Sequence, residues 1–123
     1  MNLPEIHRNN ISSLLNSEEI VHETAQQIMK DFALFGLEIT FSGNTSEAYQ
    51  ELHKQLVYQI TGLLDHDYPR LLSVLYQVDI TDKEIAKTVI ELPEYTHVEV
   101  VAHQIIVRNL KKVLTRRYFK SME

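Results

Sequence analysis

The sequence predicts an all-α fold, an irregular bundle of three long and two short helices, with one short extended segment at residues 37–42. Three observations predict it. Apolar residues recur at spacings of three and four over long stretches. Side chains that cap helices stand where those stretches begin. Only three Gly and three Pro interrupt 123 residues.

The elements follow in order. Residues 1–15 are weakly patterned. Leu3, Ile6, Ile11, Leu14 and Leu15 suit an arm laid loosely over a core, while Pro4 and Asn9-Asn10 argue against one continuous helix. The first helix is expected from about Ser17 to Phe35, with Asn16 as cap and Glu19 completing a capping box. Glu18, Glu19 and Glu23 suit the positive end of its dipole. Val21, Ala25, Ile28, Phe32 and Phe35 share one face, and Gly36 stands where a left-handed C-terminal cap belongs. Leu37, Ile39 and Phe41 then alternate with Glu38, Thr40 and Ser42, the period of a strand. The sequence offers no second segment of this kind. Residues 37–42 are therefore an extended connector or pair with the same segment of a second molecule.

After the turn Ser42-Gly43-Asn44-Thr45, a second helix is expected from about Ser46 to Asp65. Tyr49, Leu52, Leu56, Ile60 and Leu63 form its stripe, and Gly62 is its weak point. Asp65-His66-Asp67-Tyr68-Pro69 breaks the pattern, and Pro69 suits the first turn of a short third helix carrying Leu71, Leu72, Leu75, Tyr76 and Val78. Thr81-Asp82-Lys83-Glu84 is a capping box opening a short fourth helix with Ile85, Val89 and Ile90, ended by Leu92-Pro93. Thr96-His97-Val98-Glu99 is a second box. It opens the last helix, about His97 to Phe119, whose apolar face is Val98, Val101, Ala102, Ile105, Leu110, Val113 and Leu114.

Composition narrows the function classes. A chain of 123 residues fits a single domain, 1–123, able to hide roughly two-thirds of its unfolded surface without staples. With no cysteine, disulfides, thiol chemistry and Cys-containing zinc sites are excluded. The start Met1-Asn2-Leu3-Pro4-Glu5 lacks a basic stretch and a long apolar run, which argues against a signal peptide and places the chain in the cytoplasm. Apolar runs are too short for a membrane span. A net charge of −5 argues against nucleic acid as a partner for the whole surface.

Several constellations were weighed for chemistry. Glu19 with His22, Glu94 with His97, and Glu99 with His103 place a carboxylate and an imidazole on one helical face, a pairing that metal-binding bundles use, with Glu47 and Glu51 as further ligands. Pairs of this kind also arise by chance in a chain rich in Glu and His, so no metal ligand is assigned. His66-Asp67 resembles the two-residue core of HD-type metal-dependent phosphohydrolases. That family also needs an earlier His and a later Asp, for which Asp79 or Asp82 stand available. Here the pair falls on a break between helices, where Asp65 and Asp67 suit capping instead. There is no Gly-rich phosphate loop and no nucleophile motif, so no catalytic residue and no cofactor is expected.

The last helix carries Arg108, Lys111, Lys112, Arg116, Arg117 and Lys120, six cations in thirteen residues with no acid among them. The first five could dock an anionic partner, above all an acidic protein, or simply suit a helix C-terminus beside acidic helices. Val57 and Tyr58 widen the second helix's apolar face, and Ile106 and Val107 widen the last one, beyond a single stripe; these four are the candidate interface. The reading adopted is a noncatalytic helical protein acting by protein–protein association, self-associating as a homodimer. The alternatives are a metal-binding bundle and a regulatory module docking an anionic partner.

Overall fold

The computed structural model describes residues 17–121, so the expected arm at 1–15 and the cap Asn16 lie outside the described residues. Among these residues the chain is all-α: α1 (Glu18–Ala33), a 3₁₀ turn (Thr45–Glu47), α2 (Ala48–His66), α3 (Tyr68–Val78), α4 (Asp82–Glu91) and α5 (His97–Ser121). No described helix is long and apolar enough to cross a membrane.

Local chemistry sets the boundaries. Asp67 accepts from Arg70 N–H at 3.2 Å and starts α3, with Pro69 in the first turn. Thr81 accepts from Glu84 N–H at 3.2 Å. The Thr96–Glu99 box is reciprocal: Glu99 N–H donates to Thr96 Oγ1 at 3.2 Å and Thr96 N–H donates to Glu99 Oε1 at 2.8 Å. α1 ends at Ala33, two residues before the sequence expectation, because a Schellman turn closes it. Gly36 takes φ 73°, Gly36 N–H donates to Ala33 C=O at 3.1 Å, and Leu37 N–H reaches Phe32 C=O at 3.0 Å. α3 ends the same way at Asp79, a non-glycine with φ 68°. There Asp79 N–H bonds Tyr76 C=O and Ile80 N–H bonds Leu75 C=O, each at 3.1 Å.

α5 sits at the centre. Val100, Val101, Ala102, Ile105, Ile106, Val107, Leu110 and Val113 are all buried, and these positions run around most of the helix rather than along one stripe. α1, α2, α3 and α4 all pack on it. The expected stripes meet it: Val21, Ala25, Ile28 and Phe32 from α1, and Leu52, Leu56, Ile60 and Leu63 from α2. Tyr76, expected at the core edge, is instead 88% exposed. Leu71, Val74 and Val78 take the inward face of α3, so Tyr76 falls on the opposite side.

Within the chain, residues 37–42 are extended and pair with no strand. Leu37, Ile39 and Phe41 pack into the core, while the backbone of the alternate residues is held by side chains of α2. Gln59 Nε2 donates to Glu38 C=O at 3.1 Å. Gln55 accepts from Thr40 N–H at 2.9 Å and donates to Thr40 C=O at 2.7 Å. Glu51 accepts from Ser42 N–H at 2.8 Å and from the Ser42 hydroxyl at 2.7 Å. The registers match: four helical residues rise about 6 Å and two extended residues about 6.6 Å. Glu51, Gln55 and Gln59 thus do for this segment what a neighbouring strand does in a sheet.

Replacing Gln55 with Met keeps length and helix propensity but removes both ends of the Thr40 clamp. Thr40 is exposed, so water takes over part of the loss, and stability is expected to fall by about 1 kcal/mol. Urea unfolding measures it; an unchanged midpoint would show that the clamp holds nothing.

Candidate functional site

Tyr58 is the most exposed large apolar side chain on α2, at 77%. The inward face of α2 is filled by Leu52, Leu56, Ile60 and Leu63, and Tyr58 lies off that stripe. Its ring stands between two hollows. One, of about 520 Å³, is bordered by Gln59, Thr61, Gly62, Leu63, Asp65 and His66. The other, of about 530 Å³, is bordered by Glu38, Glu51, Lys54, Gln55 and Gln59. Gly62 leaves the first hollow open, since a Cβ there would meet no atom within 4 Å.

The other three candidate interface residues lie elsewhere. Val57 is half-buried against the core. Ile106 and Val107 are 0% and 6% exposed, so their assignment to an interface is corrected. The apolar excess of α5 is consumed within the chain, because the short helices α3 and α4 also pack on α5.

The basic stripe of α5 is divided in two. Arg117 Nη2 donates to Glu23 at 2.6 Å and Nη1 to Glu19 at 3.2 Å. These bonds, the one to Glu23 first, hold the guanidinium above its ordinary pKa. Arg108 Nη2 meets Asp79 at 2.7 Å, tying α5 to the end of α3. Arg117 is therefore matched by two acids of the chain, and one arm of Arg108 by a third. Lys111 and Arg116 are exposed and Lys112 is half-buried, and no ion pair joins any of them to an acid among the described residues.

A polar cluster that sequence reading missed ties α2 to α5. Tyr49 and His53 stand one turn apart on α2, with rings stacked at 5.3 Å. Tyr95, in the connection before α5, brings its hydroxyl 3.1 Å from that of Tyr49. His103 Nδ1 lies 2.6 Å from the Tyr49 hydroxyl, and His53 Nε2 donates to Glu99 C=O at 3.0 Å. His103 is 6% exposed. Burial, then the nearby His53, push its pKa down to about 4, so the ring is neutral at pH 7. Burial above all, then the Tyr95 hydrogen bond, raises Tyr49, which keeps its proton. Tyr49 O–H donating to Nδ1, with Tyr95 O–H donating to Tyr49, satisfies all three groups. The sequence signal available was His103 itself: an imidazole inside an all-round apolar helix needs a partner. The partner, Tyr49, is 54 residues away in the chain and follows no local spacing.

The metal alternative is not assembled. Among the described residues no group of three His, Asp or Glu side chains gathers as an ion would require. Glu19 is paired with Arg117, Glu51 clamps Ser42, Glu99 caps α5, and His103 is held by Tyr49. His22 packs edge-on against Phe41, and His97 and Glu47 are exposed. The His66-Asp67 pair serves the break as expected: Asp67 is the cap of α3.

The His103 shift carries a sign. In the unfolded chain its pKa is near 6.5, so between pH 6.5 and about 4 the unfolded state binds the proton and the folded state does not. Its contribution is whole above pH 6.5 and is lost as pH falls through that window, by about 2–3 kcal/mol. Against His103→Gln, which keeps an acceptor without titrating there, the wild type is expected to lose that much more stability from pH 7 to pH 4. Parallel stability profiles for the two proteins would contradict it. In comparisons with known proteins, no family model, no curated protein and no solved structure matches the chain.

Proposed function

We propose that this chain is a noncatalytic helical protein that works by protein–protein association, and that its partner is a second copy of itself docked through the outer face of α2. The observation that carries the reading is Tyr58, 77% exposed between two hollows of the same helix face. A two-fold interface must be self-complementary, with one patch offering both projection and recess. This face has both. A tyrosine is suited to the centre of such a contact, because its ring buries well and its hydroxyl keeps a polar partner.

The borders of the two hollows carry Glu38, Glu51 and Asp65 beside Lys54, with Gln55, Gln59 and Thr61 neutral, so in a two-fold contact Lys54 of each copy can meet an acid of the other.

Sedimentation velocity over a concentration series tests the reading. The wild-type chain is expected to run as a dimer, and Tyr58→Glu to raise the dimer dissociation constant at least tenfold. Because the Tyr58 side chain lies outside the core, the circular dichroism of the variant stays that of the wild type. A wild-type chain that remains monomeric at millimolar concentration would overturn the reading.

A further inference from the structure

The acids of α1 are unevenly placed against the cations of α5. Near the start of α1, Glu19 and Glu23 meet Arg117. Further along α1, the groove is bordered by Gln26, Gln27 and Lys30. The acid there, Asp31, is buried behind Gln27, accepting from its Nε2 at 3.0 Å and pairing with no cation among the described residues. The residues that meet the α5 cations are Gln27 and Lys30. Neither neutralises a cation. Arg116 Nη1 reaches only the amide oxygen of Gln27, at 3.4 Å. Lys30, Lys112 and Arg116 have no ion pair with an acid among the described residues. Arg108, Lys112 and Arg116 recur every four residues and so line one side of α5, about 6 Å apart. Like charges at this spacing repel by a few tenths of a kcal/mol per pair. The fold leaves that repulsion standing.

The same side chains line two adjoining recesses. One, of about 270 Å³, is bordered by Glu23, Gln26, Gln27, Lys30 and Arg116. The other, of about 410 Å³, is bordered by Gln27, Arg108, Lys112, Thr115 and Arg116. Gln27 and Arg116 belong to both. The acid on the border, Glu23, is already bound by Arg117. Arg108 adds a separate signal. One arm of its guanidinium holds Asp79, but its Nε is buried and has no hydrogen-bond partner among the described residues. The other arm of that guanidinium borders the second recess.

We propose that the groove between α1 and α5 is a binding site for a small polyphosphate-bearing anion, held by Lys30, Arg108, Lys112 and Arg116. The span decides the class. From Arg108 to Arg116 the helix rises about 12 Å, which a single phosphate or carboxylate does not bridge. Several linked anionic groups do. Within an otherwise acidic chain, a concave cationic site also focuses the local field on such a ligand. Two sources share this chemistry: a free inorganic polyphosphate and the phosphate chain of a nucleotide. The site uses no residue of the Tyr58 face, so it stands or falls separately from self-association.

Isothermal titration of the full chain at constant ionic strength tests it, with inorganic tripolyphosphate, ATP and orthophosphate as probes. Tripolyphosphate is expected to bind at least tenfold more tightly than orthophosphate. Lys30→Ala and Lys112→Ala each weaken tripolyphosphate at least fivefold, while Lys87→Ala, on α4 and part of neither proposed site, leaves it unchanged. Comparable affinity for ATP and tripolyphosphate identifies the phosphate chain as the recognised element; ATP binding tenfold more tightly identifies a nucleotide. Three results would overturn the proposal: equal affinity for all three probes, groove variants that bind like the wild type, or binding of a single-stranded oligonucleotide without binding of tripolyphosphate.

Discussion

The burial of α5 over most of its circumference is the constraint from which the rest of the structure follows. A helix with one apolar stripe needs one neighbour, but Val100, Val101, Ala102, Ile105, Ile106, Val107, Leu110 and Val113 leave it only the narrow side of Gln104, Arg108, Lys111 and Thr115 for water. α1 and α2 make most of the contacts with it, and the short α3 and α4 add the rest. The Schellman turns at Gly36 and Asp79 and the cap at Asp67 reverse the chain within a few residues, so each following element can return to the same core.

That geometry creates polar obligations, and several are met by specific side chains. The connection from α1 to α2 crosses the core edge in extended form without a partner strand. Glu51, Gln55 and Gln59 supply hydrogen bonds at matching intervals. His103 and Asn109 sit within the apolar surface of α5. His103 is met by Tyr49, and Asn109 turns its amide onto its own helix at Ile105 C=O, 2.9 Å away. Thr88 of α4 is met by Gln104 and by the carbonyl of Glu84. The interior of this chain is therefore apolar with a few polar ties, of which those between helices favour one arrangement over its alternatives, while Asp31 Oδ2, Asn109 Oδ1, Arg108 Nε and Arg117 Nε are buried without a hydrogen-bond partner among the described residues.

Local signals were readable in the sequence because they act within one turn. The capping residues Thr81, Thr96 and Asp67, the glycine at 36, and the stripes of α1 and α2 all behave as their spacing implies. What escaped depends on contacts distant in sequence. Apolar width on α5 was legible, but whether Ile106 and Val107 meet a second molecule or α3 and α4 is a question of tertiary packing. The alternation at 37–42 was legible, yet the clamp joins residues up to 21 positions apart. The cationic run on α5 was legible as a block. Only the packing of α1 divides it into Arg117, matched by acids, and Lys112 and Arg116, matched by none.

Both functional proposals rest on what remains after the core and its ties are complete: an aromatic ring on α2 standing between two hollows, and cations on α5 left without acids. The account beneath them is that α5 is the last element to open. Native-state hydrogen exchange measures this residue by residue. The amides from Val100 to Leu110 are expected to exchange only through global unfolding, with protection equal to the full unfolding free energy measured by urea. Protection in that stretch lower than in α1 or α2 would show that α5 opens independently of the bundle, and would contradict its role as the centre.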